Sequence, residues 1–493
     1  MKLSLLAASL LGRNLGSENP AGTKLGRDVL SADKLSSTPK ARDVPLHVVR
    51  LDMWRNDQDP IESHSRRKRQ VVETAVDNML TLYFVNATVG TPPQEVRLHV
   101  DTGSSDMWVN TPSSDYCSAA RRPCANAGTY DPAHSGTHTL VDNSFNISYV
   151  DGSGASGDFV TDVLTIGDAS VEDLQFGVGL NTTSPRGILG IGYTSNEANV
   201  LRDGVKPYEN LPIKLVSQGL IQSAAFSMFL DDFDSRTGTV LFGGIDRGHF
   251  TGDLITVPIQ QENGQYRRLL VTLDKIGFDD ATISENMALA VLLDSGSSIT
   301  YLPDNVAQAI FKKADATYME EQGLAFVPCS NRQTAHDITF SFDDPLSIVV
   351  PYSELVLNIA TNSGKRPIFG NGEDACLFGI APAGSGSNVL GDTFMRSAYV
   401  VFDLENNEIS MAQAATSEVQ SDVAEIAAGS DPVPGATRVA KPVAATQGLT
   451  NTGQEVPEDG NEEEGVAIGL GGRSPAAVLM AAVVAVAATV VLC

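Results

Sequence analysis

Two short segments each place an aspartate between an apolar run and a glycine turn. LHVDTGSSD puts Asp101 two residues before Gly103, and AVLLDSGSS puts Asp294 two residues before Gly296. A carboxyl group on a turn held by glycine can take up or release a proton during a reaction. Aspartate and glycine also populate ordinary turns, so one copy would carry little information. Two copies in one chain indicate a repeated functional element.

Each aspartate segment has a matching partner further along the chain. An apolar-Leu-Gly triplet lies in GILGIG at residues 187–192, and a second lies in NVLGDT at residues 388–393. The repetition indicates gene duplication, with one carboxyl group supplied by each half. If Asp101 faces Asp294, the two groups cannot both ionise cheaply. They then share one proton and provide an acid and a base in one site.

The segments around these motifs predict β-strands. From Leu80 to about Ala412, short alternating or apolar runs are separated by Gly, Asp, Asn and Ser turns. Helical patterns are few, and the clearest covers residues 304–323 with Asp304 as its N-cap. The pattern predicts an all-β, bilobal body with an N-terminal lobe at 70–255 and a C-terminal lobe at 256–412.

Charge is distributed unevenly along the chain. The 493 residues carry 34 Lys and Arg against 60 Asp and Glu, and the net charge of -26 argues against nucleic-acid binding. Residues 1–69 hold 13 basic and 8 acidic residues, so the leader is basic and the remainder acidic. We expect attraction between the two, with residues 44–57 as an inhibitory segment and Arg50 or Arg55 reaching the two aspartates.

The leader contains two processing signals. Residues 1–18, with Met1-Lys2 before LSLLAASLLG, are typical of a secretory signal peptide, and the alternative is the start of a buried helix. Residues 19–69 form a propeptide that ends in SRRKRQ. This basic run is either a solvated charge cluster or the site of a processing protease that cuts after Lys68-Arg69.

The chain beyond Ala412 changes composition. Residues 413–465 contain ten acidic and two basic residues and no aromatic ones, which predicts a disordered acidic stalk. Residues 466–493 end in an apolar tail and match a glycolipid-anchor signal that is removed, with Gly465 as the attachment residue and Asn461 as the alternative. A retained membrane span is the competing interpretation. Anchoring predicts a cell-surface location in the plasma membrane or cell wall.

Cysteine usage and sequons agree with export. The simplest assignment pairs Cys117 with Cys124 and Cys329 with Cys376 and leaves Cys493 in the tail, although four cysteines allow three pairings. A metal site is the alternative, but no CxxC pair or neighbouring histidine cluster supports one. N-x-S/T sequons predict glycosylation at three residues: Asn86, Asn146 and Asn181.

The paired aspartate turns and their downstream triplets resemble the pepsin-type aspartic proteases, and specifically the fungal secreted or surface-anchored branch that includes yapsins and candidapepsins. The resemblance spans about residues 80–412, and the leader, basic site, stalk and tail resemble the yapsin organisation. It implies two related β-barrel-like lobes with a cleft between them. It also implies that Asp101 and Asp294 activate a water for attack on a peptide carbonyl, with no covalent intermediate, metal or cofactor.

The resemblance assigns supporting roles to further residues. ISYVDGSGASGD, residues 147–158, matches the family's flap hairpin through Tyr149, Asp151 and Gly152. Trp108 matches the tryptophan that hydrogen-bonds the flap tyrosine, although both aromatic residues could be ordinary core residues. Val150 departs from the glycine of many relatives, so we expect it to stiffen the flap and intrude on the cleft.

Hydroxyl side chains follow each aspartate. We expect Ser104 and Ser297 to hold the two carboxylates from outside, although turn serines can serve only the turn. Ser295 and Ser297 stand where animal relatives commonly have threonine, and both hydroxyls can still bond to the carboxylates.

These observations predict a monomeric, acid-active endopeptidase that acts on polypeptides. The alternatives are a catalytically inactive pepsin-like binding protein and a structural wall protein with a vestigial fold. An acidic cleft would favour Lys and Arg near the cut, whereas an apolar cleft would favour Leu and Phe.

Overall fold

The structure, a computed structural model, describes residues 47–55, 82–359, 366–415 and 420–449. The predicted signal peptide, the Lys68-Arg69 site, the anchor residues Gly465 and Asn461, and the tail 466–493 lie outside these ranges. Within them, no helix combines the length and the apolar character needed to cross a membrane.

Strands are the main secondary structure of the described chain, as the short alternating runs predict. In chain order the strands are β1 (Val49–Arg55), β2 (Tyr83–Val89), β3 (Gln94–Asp101), β4 (Met107–Asn110), β5 (Thr139–Ser148), β6 (Gly154–Ile166), β7 (Ala169–Thr182), β8 (Gly187–Gly190), β9 (Ala225–Leu230), β10 (Thr237–Phe242), β11 (Gly244–Asp246), β12 (Phe250–Pro258), β13 (Leu270–Leu273), β14 (Lys275–Phe278), β15 (Ala281–Ser284), β16 (Leu289–Leu293), β17 (Thr300–Leu302), β18 (Thr317–Met319), β19 (Leu324–Pro328), β20 (Asp337–Ser341), β21 (Ser347–Pro351), β22 (Val356–Leu357), β23 (Ala375–Phe378), β24 (Ile380–Pro382), β25 (Val389–Leu390), β26 (Ala398–Asp403), β27 (Glu408–Ala414), β28 (Val423–Glu425) and β29 (Ala436–Arg438).

Helices are short and lie at the connections between strands. The α-helices are α1 (Asp115–Ser118), α2 (Ala198–Asp203), α3 (Leu211–Ser217), α4 (Asp304–Ala314), α5 (Tyr352–Leu355) and α6 (Asp392–Met395). Short 3-10 turns occur at Pro132–His134, Thr194–Asn196, Arg247–His249 and Cys329–Gln333.

A closed barrel forms the N-terminal lobe. In the described residues, a 14-stranded sheet runs in the order β29-β12-β27-β26-β9-β10-β1-β2-β3-β8-β4-β7-β6-β5. An additional pairing of β2 with β6 closes the strands from β2 to β6 into a ring. Closure leaves these strands without free edges inside the ring and encloses a core that includes Leu98, Val100 and Leu189.

Smaller sheets form the C-terminal lobe. Within the described ranges these are the five-stranded β13-β16-β25-β17-β24, the four-stranded β15-β14-β20-β21 and the four-stranded β18-β19-β23-β22. β26 and β27 leave this lobe and pair with β9 and β12 in the large sheet. One apolar cluster extends through both lobes, from Val100 to Leu293 and Leu390. The bilobal, mostly β fold predicted from the sequence is confirmed.

The predicted helix at residues 304–323 is shorter in the structure. α4 ends at Ala314 because Asp315 adopts a left-handed backbone with φ of 50°, and Thr317–Met319 then pairs with β19. Asp304 is the first helical residue, and its carboxylate accepts a hydrogen bond from the N–H of Gly384 at 2.9 Å.

Part of the predicted propeptide is an integral strand. β1 pairs antiparallel with β10 through six residues and with β2 through two. Val49, Leu51 and Met53 alternate along β1 and are buried in the main core. This strand is therefore a component of the central sheet as well as of the leader.

The chain after Ala412 differs from the predicted disordered stalk at 413–465. β27 continues to Ala414, and β28 and β29 pair with β11 and β12 on the body. Ile426 and Val433 are buried against that sheet. Composition is misleading here because a few apolar residues at suitable positions, together with backbone bonds to strand edges, can dock an otherwise polar segment. Residues 416–419 and 450–465 lie outside the described ranges.

Candidate active site

Asp101 and Asp294 occupy equivalent positions in the two lobes. Asp101 ends β3, which runs parallel to β8 there, and Asp294 directly follows β16, which runs parallel to β25. The N–H of Ile191 donates to the carbonyl of Asp101 at 3.0 Å, and the N–H of Asp294 donates to the carbonyl of Leu390 at 3.2 Å. The duplicated sequence motifs therefore form one structural unit in each lobe.

Each carboxyl group is held from outside by its own turn. In the N-terminal lobe, the N–H of Gly103 donates to Oδ1 at 2.8 Å, and the hydroxyl of Ser104 donates to Oδ2. In the C-terminal lobe, the N–H of Gly296 and the hydroxyl of Ser297 donate to the corresponding oxygens, both at 2.8 Å. Two donors on each carboxyl group fix its orientation.

A second hydrogen-bond network joins the lobes beneath the aspartate pair. The hydroxyl of Thr102 donates to the carbonyl of Leu293 and accepts from the N–H of Ser295, both at 2.9 Å. In return, the hydroxyl of Ser295 donates to the carbonyl of Val100 at 2.9 Å. The prediction that Ser295 bonds to a carboxylate is therefore wrong. Sequence reasoning missed this network, although both motifs have a hydroxyl residue between aspartate and glycine.

Glycine permits the close approach of the two carboxyl groups. A Cβ atom on Gly103 would lie 2.6 Å from Oδ1 of Asp294, and one on Gly296 would lie 2.5 Å from Oδ1 of Asp101. Both distances are well inside ordinary contact. Each lobe therefore places its aspartate directly over the glycine of the other lobe.

Burial and mutual proximity control the protonation of this pair. Burial, together with the negative charge of Asp101, raises the pKa of Asp294 to about 7. Burial also raises the pKa of Asp101, while hydrogen bonds from Ser104, Gly103 and Asp294 oppose that increase. The two carboxyl groups thus hold a proton between them over a pH range in which free aspartates are ionised.

The predicted flap is the hairpin turn between β5 and β6. The N–H of Tyr149 donates to the carbonyl of Ser153 at 2.8 Å, and the N–H of Gly152 donates to the carbonyl of Tyr149 at 3.0 Å. Asp151 stabilises the turn by accepting from the N–H of Ser153 at 2.8 Å. Val150 is 70% exposed at this tip, and the expectation that it intrudes on the cleft stays a prediction.

Tyr149 connects the flap to the aspartate pair. Its hydroxyl accepts a hydrogen bond from Nε1 of Trp108 at 2.8 Å and contacts the hydroxyl of Ser104. Burial and the charge of Asp101 raise the pKa of Tyr149 well above its usual value, so its hydroxyl stays neutral. The structure thus brings together the tryptophan, the flap tyrosine and the first aspartate turn.

Comparison with known sequences identifies the family. A family model described as eukaryotic aspartyl protease matches residues 82–414, which include both aspartate turns and the flap. The chain belongs to the eukaryotic aspartyl protease family. This membership confirms the predicted family and enzyme class.

Sequence similarity to fungal proteins covers most of the protease. It is 47% identical over 411 residues to a probable aspartic-type endopeptidase, opsB, of Aspergillus oryzae, and the match covers 82% of this chain and 83% of that protein. It is 36% identical over 377 residues to secreted aspartic protease 4 of Candida albicans, covering 75% and 83% of the two chains. The aspartic proteinase from Irpex lacteus shares the fold, with a TM-score of 0.56, 20% identity and coverage of 69% of this chain and 98% of that one.

The flap contact leads to a prediction about the protease. Trp108→Phe removes the Nε1 donor, while the phenyl ring still fills most of the apolar site around Phe145 and Ile147. We expect kcat/KM to fall about fivefold, since a hydrogen bond of this kind contributes about 1 kcal/mol. Steady-state kinetics on a peptide substrate would measure the change. Tyr149→Phe should cost a similar factor, and a double variant that loses the product of both factors would contradict a shared bond.

A buried acidic cluster that sequence reasoning missed supports the N-terminal lobe. Asp106 accepts hydrogen bonds from the hydroxyl of Tyr208 at 2.9 Å and from the N–H of Ala198 at 2.8 Å, and Glu197 accepts from the N–H of Tyr208 at 3.0 Å. Burial raises the pKa of Asp106 to about 6 and that of Glu197 to about 9. No local motif marks these residues as buried.

These raised pKa values predict lower stability as the pH rises above about 4. Unfolded carboxyl groups lose their protons near pH 4, whereas folded Asp106, Asp294 and Glu197 keep theirs to about pH 6, 7 and 9. The folded state therefore binds more protons in this window, and the free energy of unfolding decreases with pH. Glu197→Gln should reduce the fall in melting temperature between about pH 5 and pH 7 by at least about 2 °C.

Thermal melting across this range would test the effect. Glu321→Gln, at an exposed position, is the matched control and should keep the wild-type slope. Equal slopes in all three proteins would show that Glu197 is ionised in the folded protein.

His99, also missed from the sequence, lies beneath the aspartate pair. Its ring packs against Phe84, and Nε2 is 3.3 Å from the carbonyl oxygen of Ser295. Burial lowers the pKa of His99 to about 4, so the imidazole is neutral above that pH. A neutral ring adds no charge to the site in mildly acidic solution.

The arginines predicted to reach the aspartate pair have other partners. Arg50 forms an ion pair with Asp52 at 2.8 Å. Arg55 donates to the backbone carbonyl of Phe233, and its guanidinium lies 4.2 Å from the centre of the Phe233 ring. The prediction is wrong because pairing of β1 in the sheet fixes both side chains away from the aspartates.

Both predicted disulfides are present in the structure, and all three sequon asparagines are exposed. The structure contains the Cys117–Cys124 and Cys329–Cys376 disulfides. The three sequon asparagines are exposed at strand positions: Asn86 on β2, Asn146 on β5 and Asn181 on β7.

Proposed function

We propose that this chain is an aspartic endopeptidase that hydrolyses peptide bonds in acid solution by means of Asp101 and Asp294. The observation that carries the proposal is the pair of carboxyl groups on duplicated turns, each fixed by two donors and facing the other across the lobes. Their raised pKa values give one acid and one base in the same site.

The pair can perform both proton transfers of peptide hydrolysis. The ionised carboxylate takes a proton from a water molecule while the water oxygen attacks the peptide carbonyl carbon, and the protonated carboxyl group gives its proton to the carbonyl oxygen. The resulting tetrahedral intermediate returns that proton to the pair, the nitrogen takes up the other, and the C–N bond breaks. The products are one carboxylic acid and one amine, and the pair regains its single proton.

Hydrolysis of a denatured protein at acid pH would test this function. We expect cleavage that pepstatin abolishes, and activity that declines as the pH rises through about 7, where Asp294 loses its proton. An inactive pepsin-like binding protein would bind the substrate or pepstatin without cutting. Cleavage that persists with pepstatin, or that increases above pH 7, would contradict the proposal.

We also propose that the enzyme is exported and attached to the cell surface. Its relatives include proteins named secreted aspartic proteases, and its own signals are the segment 1–18, the exposed sequons and the tail 466–493. A phospholipase specific for glycolipid anchors should release the protein if Gly465 or Asn461 carries the anchor. Protein that stays on the membrane after this treatment but dissolves in detergent would instead contain a retained span.

Such an anchor would hold the catalytic body near the membrane. The described body extends to Leu449, so only residues 450–464 separate it from Gly465. A fully extended chain of that length spans at most about 50 Å. Substrates at the cell surface would therefore be cleaved in preference to distant soluble ones.

We propose cleavage of the leader after Lys68-Arg69 by a processing protease. Because β1 pairs with β10 and β2, the cut would leave Val49–Arg55 bound to the body through backbone hydrogen bonds. Mass spectrometry of the purified enzyme under native and denaturing conditions would show whether this segment is retained.

A further inference from the structure

Residues 420–449, which we term the C-terminal strap, run along both lobes. Ser421 and the N–H of Asp422 donate to the carboxylate of Asp246, and β28 pairs with β11. β29 then pairs with β12, and the N–H of Ala445 donates to the side chain of Gln260 at 3.0 Å. The strap lies beyond residue 414, where the family match ends.

The end of the strap completes the strand that carries Asp294. On one side of β16, β13 pairs with residues 289–292. On the other side, β25 pairs only with Leu292 and Leu293. The remaining half of that side contacts the strap, where Leu289 pairs with Gln447.

Three N–H groups of β16 and its end point toward this second side. Asp294 donates to Leu390 at 3.2 Å, and Leu292 donates to the carbonyl of Asn388 at 2.9 Å. The third, Ala290, donates to the carbonyl of Gln447 in the strap at 2.8 Å. Ala290 is only 1% exposed with the strap in place, so displacing the strap would remove the partner of this N–H and open that edge of β16 to solvent.

Gly448 allows the strap to approach β16 this closely. Its φ is 76°, and a Cβ atom there would lie 2.7 Å from the carbonyl oxygen of Ala290 and 2.9 Å from Nδ2 of Asn388. Any side chain at this position must push the strap away from the strand.

The N-terminal lobe has a comparable backbone contact at the corresponding position, although the bridge there, between Val96 and Gly128, is antiparallel and that between Leu289 and Gln447 is parallel. The N–H of Arg97, four residues before Asp101, donates to the carbonyl of Ala127 at 2.7 Å. The next residue, Gly128, has φ of 74°, and a Cβ atom there would lie 2.1 Å from the carbonyl oxygen of Glu95. In that lobe the supporting loop belongs to the body, whereas in the C-terminal lobe the strap supplies it.

We propose that Gln447 and Gly448 are positioning residues for Asp294: they fix β16 and thereby hold the second carboxyl group against Asp101. The inference rests on the proposed catalytic function of the pair. It assigns part of the predicted stalk at 413–465 to the active-site scaffold, and it predicts that a substitution at residue 448 changes the proton transfer at the aspartate pair.

Gly448→Ala in the full chain tests this proposal, with Gly435→Ala as the matched control. Gly435 lies in the same strap with φ of 80°, but a Cβ atom there meets no atom within 4 Å. Both substitutions impose similar backbone strain, and only the first displaces the strap from β16. We expect Gly448→Ala to lower kcat about tenfold or more with little change in KM, and to shift the pH–kcat profile, because small displacements of reacting groups are costly. Gly435→Ala should stay within about twofold of wild type in kcat.

Amide hydrogen exchange supplies a second measurement on the same proteins. In Gly448→Ala, exchange should increase in the peptide containing Ala290 and stay unchanged around Arg97. If this variant does not fold, Gly448→Asn with Gly435→Asn replaces the pair, since asparagine tolerates positive φ. Equal kcat and pH profiles in the variant and its control would overturn the proposal, even if exchange increased at β16. Activity retained by Asp294→Asn would instead contradict the catalytic function itself.

Discussion

Asparagine in place of Asp101 or Asp294 is expected to lower kcat by about 100-fold or more, because an amide cannot carry the proton that the pair exchanges. The N–H groups of Gly103 and Gly296 can still donate to the amide oxygen, so both turns should keep their geometry. At pH 7 each variant should melt at or above the wild-type temperature, since it no longer buries a carboxyl group with a raised pKa.

Peptide hydrolysis and thermal melting of both variants would measure these effects. Asp253→Asn, at an exposed position of β12, is the control and should retain full activity. Turnover above about one hundredth of wild type in either variant would mean that the replaced group does not perform acid-base catalysis.

The second large effect is expected from a single methyl group at Gly296. A Cβ atom there would lie 2.5 Å from Oδ1 of Asp101 and 2.9 Å from Oδ1 of Asp294, so Gly296→Ala must separate the two carboxyl groups. A displacement of about 1 Å at reacting groups can cost about 100-fold in rate, and we expect a loss of that size in kcat. Since the pair then shares its proton less closely, the two limbs of the pH–rate profile should move toward each other.

A glycine with room for a side chain provides the comparison. At Gly136 a Cβ atom would be 3.6 Å from its nearest neighbour, so Gly136→Ala should leave kcat and the pH profile unchanged. Both proteins should unfold cooperatively at similar temperatures in acid. A Gly296→Ala enzyme with wild-type kcat would show that the close approach of the carboxyl groups is not required.

The sequence by itself determined the family, the two aspartates and the parts of the site that depend on local motifs. The duplicated Asp-x-Gly-Ser turns and their Leu-Gly partners predicted that Asp101 and Asp294 lie on equivalent turns, and the structure has them there, because a turn and a nearby strand end are encoded by consecutive residues. The pairing of Tyr149 with Trp108 followed from family resemblance, and both disulfides followed from cysteine spacing.

Only the tertiary structure showed how the lobes fix one another. Thr102 and Ser295 are distant in sequence, and their crossed hydrogen bonds arise only when the two turns meet. Burial of Glu197 and Asp106 likewise depends on packing around Tyr208. Neighbouring residues in the chain do not encode such contacts, so motif reasoning assigned Ser295 to the wrong partner.

The segments judged by composition differed most from expectation. β1 lies in a leader defined by its charge, yet its alternating apolar residues belong to the central sheet. The strap is rich in polar and small residues, yet it buries Ile426 and accepts a hydrogen bond from Ala290 through a backbone carbonyl. Average composition reports how much apolar surface a segment has, whereas docking depends on where those few residues fall and on which strand edge offers backbone partners. That edge exists only after the rest of the chain has folded, and for this reason the tertiary structure alone decided the place of both segments.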